Sequence, residues 1–74
     1  MKAHKTLKTV GAGQSAMIVA VDCGQKAQAR LDSMGLIPGT EIGVLSNGKG
    51  PLIVRVGEGR VIVERGIAEK VVVD

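Results

Sequence analysis

Eleven residues, Arg30-Leu31-Asp32-Ser33-Met34-Gly35-Leu36-Ile37-Pro38-Gly39-Thr40, restrict this chain more than any other stretch, because they write a helix end, a turn and the start of a strand in direct succession. Ala27, Leu31 and Met34 recur at i, i+4 and i+7, so the residues before Gly35 form a short amphipathic helix with one apolar face. Gly35 stops it: the position after a helix end often takes left-handed backbone, which costs glycine nothing, and Leu36 then folds back onto the last turn. Pro38-Gly39 fits the two central positions of a type II turn, proline presetting φ and glycine supplying φ > 0. A strand follows at once.

With 74 residues the chain makes one domain spanning residues 1–74, with 1–6 expected to be flexible. A chain this short buries only a little over ~60% of the surface it exposes when unfolded, so its core must be economical. There is no Phe, Trp or Tyr. The core therefore rests on Val, Ile, Leu, Met and Ala, and valine-rich strands are its natural source. Ten basic against seven acidic residues give a formal charge of +3, spread along the chain rather than gathered in a block. So mild a bias serves solubility as readily as it marks an anionic partner.

Strand candidates run over Ala16–Asp22, Thr40–Ser46, Leu52–Val56, Arg60–Glu64 and Glu69–Val73. Alternation places Ile42 and Val44, then Leu52, Val54 and Val56, then Val61 and Val63, then Val71 and Val73 on the core side. Gln25–Met34 carry the helix, Gly57-Glu58-Gly59 a short hairpin connection, and Arg65-Gly66-Ile67-Ala68 a corner. Closing these strands into a small barrel buries one face and protects the edges. The expected fold is mainly β: a small five-stranded SH3-like barrel with one short α-helix between the first two strands. An OB-like barrel is second, since it usually places its helix between the third and fourth strands.

Catalytic and metal chemistry find little support. Gly43–Lys49 has the spacing of a phosphate-binding loop, but Gly50 stands where a Ser or Thr would hold Mg²⁺, and Pro51 leads into a strand rather than a helix. His4 and Cys23 are the only residues of their kinds, whereas a closed zinc site wants four ligands. Cys23 reads as a small residue packed at a strand end. The seven carboxylates are scattered, and Ser15, Ser33 and Ser46 have no base except one distant histidine. The chain is expected to be no enzyme and to hold no cofactor and no metal.

Nucleic-acid binding is not expected, because no aromatic side chain is present for a base to stack on. The same absence removes the groove by which SH3 domains hold proline-rich peptides. A protein-docking surface remains. Its candidates are the helix flank with Lys26, Arg30 and Ser33, the adjoining Met34 and Leu36, and the outward strand residues Ile53, Ile62 and Val72. Scattered surface apolar residues are also normal, which weighs equally against the strand set. The N-terminus carries no apolar run of a signal peptide, and no stretch approaches the roughly 20 apolar residues of a membrane span. Neither secretion nor direct membrane insertion is expected, and the single cysteine agrees with a cytoplasmic location.

Arg30-Leu31, Met34-Gly35-Leu36 and Pro38-Gly39, followed by Pro51-Leu52 and by Arg60–Val63 with Ala68, resemble the FeoA family of bacterial ferrous-iron uptake. The likeness runs from about Leu7 to Val73, and its signature is R-L-x-x-[LM]-G-L-x-P-G. The resemblance implies an SH3-like barrel in the cytoplasm that serves FeoB, the membrane ferrous-iron transporter with a cytosolic G domain, by docking to it and modulating it. Arg30, Met34, Leu36, Ile53 and Ile62 are the residues expected to bind that partner. Exposed valine-rich strands also make a homo-oligomer plausible. The alternatives are an SH3-like barrel with a regulatory or nucleic-acid-associated role, or a dimerisation module related to the C-terminal domains of metal-dependent repressors.

Overall fold

The computed structural model describes residues 5–74, so His4 and the rest of the N-terminal stretch before Lys5 lie outside the described residues. The helix ends where Gly35 dictates. Helix α1 covers Gln25–Ser33, with Met34 as its C-terminal cap and Gly35 at φ +83°. Leu36 donates its backbone N–H to the Leu31 carbonyl at 2.9 Å, and Gly35 donates to Asp32 at 3.0 Å. This pair of bonds is the Schellman arrangement, which satisfies carbonyls that the helix leaves free. Its apolar clasp is Leu31 against Leu36, 1% and 0% exposed. Burying each such side chain contributes about 1.5–3 kcal/mol. Thr40 then donates to the Ile37 carbonyl across Pro38-Gly39, with Gly39 at φ +91°, as a type II turn requires.

Six strands follow the alternation of the sequence: β1 Lys5–Thr6, β2 Ser15–Val21, β3 Glu41–Ser46, β4 Leu52–Val56, β5 Gly59–Val63 and β6 Val71–Val73. They form one antiparallel sheet in the order β1-β6-β2-β3-β4-β5. β2 serves both halves. Its Ser15–Met17 end pairs with β3, and its Ile18–Val21 end pairs with β6 across a bulge at Val19. A bulge sharpens twist and bend, which lets one strand change partners.

The five-stranded barrel with its helix between the first two strands needs correction on three counts. Lys5 and Thr6, expected to be flexible, pair with Val73 and Val72 and add a strand, so α1 falls after β2 rather than after the first strand. The sheet is not closed, since its terminal strands β1 and β5 do not pair. The corner Arg65–Ala68 is a short second helix, α2, entered from the Glu64 carbonyl, which accepts from both Ile67 and Ala68.

The core gathers Leu7, Val10, Ile18, Leu31, Leu36, Ile42, Val44, Leu52, Val54, Val63, Ala68, Val71 and Val73. Leu7 belongs to a 3-10 turn over Leu7–Thr9. That turn is tied down by Asn47, whose amide Nδ2 donates to the Lys8 and Val10 carbonyls at 2.9 and 2.7 Å. Arg65 in turn holds the loop after Asn47, donating to the Gly48 and Gly50 carbonyls at 2.6 and 3.0 Å.

Candidate docking site

The exit of α1 and the end of β5 come together to form a concavity. Ala27, Arg30, Leu31 and Met34 make one wall, while Ile62 and Val63 of β5 with Glu64 and Ile67 of the α2 turn make the other. The groove encloses about 250 Å³, part of it open to solvent. Its floor is apolar. Arg30 and Glu64, both exposed, bring opposite charges to its walls.

The helix flank and the outer strand face, separate candidates in the sequence, share this groove. Arg30 is exposed beside it, and Met34, half-buried, packs on the core from its wall. Ile62 is 66% exposed, the largest exposure among the large apolar side chains described. Ile53 stands directly opposite Ile62 in the β4–β5 register, continuing the apolar surface onto the outer face of the sheet. Ser33 directs its hydroxyl to the Arg30 carbonyl at 2.7 Å, so it serves the helix end.

One expectation is corrected. Leu36 is fully buried by the clasp with Leu31, so it supports the turn and presents no surface there. Val72, half-buried, keeps to the face of β6 opposite the core residues Val71 and Val73, as the alternation expects. The sequence reading missed Val63, Glu64 and Ile67 as groove residues. The signal was present in the spacing of Glu64 and Ile67, one helical turn apart, but so short a helix has no apolar periodicity to read.

The phosphate-loop spacing resolves into strand and loop. Gly43 lies buried within β3 under the Arg55 guanidinium, and the segment carrying Lys49 leads into β4. Among the described residues no three His, Cys, Asp or Glu side chains gather as metal ligands. Cys23 is half-buried and packs against the core. The one ion pair among the described residues joins Lys8 and Glu69 at 2.8 Å. The hydrogen bond from Lys8, and then its charge, holds the Glu69 carboxyl below the usual carboxylate range. No described helix is long and apolar enough to cross a membrane.

These features define a small, mainly antiparallel β domain with an apolar groove beside its helix. The sequence profile of the FeoA domain matches residues 5–74, and the chain belongs to that family. It is 32% identical over 62 residues to a candidate Fe(2+) transport protein A of Methanocaldococcus jannaschii, covering 84% of this chain and 76% of that one. A crystal structure of an iron uptake regulatory protein, FeoA, superposes with a TM-score of 0.89 at 36% identity, covering 96% of both chains. The zinc-complexed FeoA of Stenotrophomonas maltophilia, described as a procaryotic SH3 domain protein, gives 0.83 at 30% identity, with 95% and 89% covered. The fold extends beyond the family: a manganese-dependent transcriptional repressor matches at TM-score 0.86 with 14% identity, a likeness of fold alone.

Proposed function

We propose that this chain is a cytoplasmic accessory of ferrous-iron uptake that acts by docking its groove onto a FeoB-type membrane transporter and biasing that transporter's nucleotide switch. Membership of the FeoA family and the names of its relatives support the process. The groove supports the mode, and one observation carries it: Ile62 stands 66% exposed beside Met34 and Ile67, where a partner's apolar side chain would bury it. On this reading the chain does no chemistry of its own. A docked domain shifts a switch only by its differential affinity for the two states, so tighter binding to one nucleotide state is required.

The test is copurification of the chain with a FeoB-type transporter, loaded with GDP or a non-hydrolysable GTP analogue. Capture is expected to depend on nucleotide and to fall with Ile62→Glu and with Arg30→Glu. Equal capture in both states would remove the switch from the account. Capture by neither would remove the docking.

A further inference from the structure

The outer face of the β4–β5 hairpin carries two arginines, Arg55 and Arg60, that do not line the groove. Arg55 and Arg60 stand directly opposite each other in the register, as do Ile53 and Ile62 next to them. Arg55 lays its guanidinium over Gly43 of β3, so Arg60 is the arginine that faces the open side of β5. Neither arginine has an ion-pair partner among the described residues. Glu41, Glu58 and Glu64, on β3, the turn and the end of β5, pair with neither.

β5 is also the last strand of the sheet. Its two-residue connection makes Val56 and Gly59 a hydrogen-bonded pair, and in an antiparallel ladder such pairs alternate. Gly59, Val61 and Val63 therefore spend their backbone groups on β4, while those of Arg60 and Ile62 point away from it along the open edge. Arg60 and Ile62 thus offer both a free backbone rung and a side chain on the outer face.

We infer that this edge receives an extended segment of a protein partner as an added antiparallel strand, reading apolar-x-acidic, its apolar residue beside Ile62 and its carboxylate beside Arg60. Main-chain bonds supply affinity in such strand addition, and alternate side chains supply specificity. Guanidinium forks suit a carboxylate. A second copy of this chain is the poorer occupant, because pairing two β5 edges would bring two unpaired Arg60 side chains onto one continuous face. The inference rests on the reading that this chain works by docking, and it names what the docked segment is.

The test needs no transporter. A capped decapeptide with valine and glutamate alternating at its outward positions, and threonine between them, is titrated into the isotope-labelled chain and amide hydrogen exchange is read by NMR. At saturation the Arg60 and Ile62 amides are expected to slow at least about tenfold, while Val61 and Val63, already bonded to β4, change little. The same peptide with lysine in place of glutamate is expected not to bind. Arg60→Glu should weaken binding at least about tenfold, which is a 1.4 kcal/mol loss. Ile62→Pro removes a donor that β4 does not use, so it should abolish the protection while circular dichroism stays native.

Binding without protection of those two amides would overturn the inference, as would equal binding of the lysine peptide or no binding of either. Protection of Arg60 and Ile62 that rises with protein concentration, without peptide, would assign the edge to a second copy. Failure here together with nucleotide-dependent capture of a transporter would overturn the strand addition and leave the docking role standing. Peptide binding without capture would do the reverse.

Discussion

Gly35 and Gly39 make a matched pair of probes for the turn that sets Met34 in the groove wall and Leu36 in the core. Both have positive φ, +83° and +91°. A Cβ at Gly39 would meet nothing within 4 Å, whereas one at Gly35 would meet Cγ1 of Val56 at 3.1 Å. Gly39→Ala therefore costs left-handed strain alone, about 1–2 kcal/mol. Gly35→Ala bears the same strain and also forces Val56 off its preferred rotamer, a further cost of about 0.5–1.5 kcal/mol. Against a total stability of roughly 4–11 kcal/mol for a chain this long, both are visible. In melting experiments at about 4–8 °C per kcal/mol, Gly39→Ala should lower Tm by about 4–16 °C, and Gly35→Ala by several degrees more. Repeating Gly35→Ala in a Val56→Ala background should recover the difference, because the crowded methyl is gone. A Gly35→Ala penalty no larger than that of Gly39→Ala, or one unchanged in the Val56→Ala background, would refute the steric argument. An unchanged Tm for Gly39→Ala would refute the turn.

Three further expectations follow from single contacts. Asn47→Ala leaves the Lys8 and Val10 carbonyls without their donor and should cost about 1–3 kcal/mol by chemical denaturation. Asn47→Asp should cost more at neutral pH, since it faces a carboxylate with two carbonyl oxygens; its folded pKa would be raised, so part of the loss returns as pH falls and the protonated acid donates again. Lys8→Ala should return the Glu69 carboxyl towards its ordinary range in an NMR titration. The contribution of that pair is present above the ordinary carboxylate pKa, is lost as pH falls through the lowered value, and should shrink with added salt because both groups are exposed. The pure chain should neither turn over GTP nor retain stoichiometric ferrous iron after desalting; hydrolysis lost on Lys49→Ala would contradict the reading of Gly43–Lys49 as strand and loop.

Much of this architecture was legible where period and turn chemistry agree. Leu31-x-x-Met34-Gly35-Leu36 announced its own helix end, and the Schellman bonds of Leu36 and Gly35 realise it. Alternation placed Ile42, Val44, Leu52, Val54, Val63, Val71 and Val73 in the core. The losses have one physical character: they are set by contacts distant in sequence. Two residues, Lys5 and Thr6, have no pattern of their own and become a strand only because the β6 edge accepts them. Leu36 lay next to an exposed flank in sequence, but the left-handed Gly35 turns it inward. The groove was half visible, because Arg30, Met34 and Ile62 were each singled out; that they meet depends on how α1 crosses the end of β5, which no local spacing encodes.

The central claim is that this chain acts through a docking surface built around Ile62. The most direct measurement is the affinity of the chain for a FeoB-type transporter in detergent or nanodiscs, compared between the native chain, Ile62→Glu and Met17→Glu. Met17 is 48% exposed and is not among the residues that line the groove, so it controls for a charge placed on surface apolar residues in general. With melting curves unchanged, Ile62→Glu should weaken binding at least about tenfold and Met17→Glu less than about twofold. Equal affinity for all three, or a loss confined to Met17→Glu, would contradict the account.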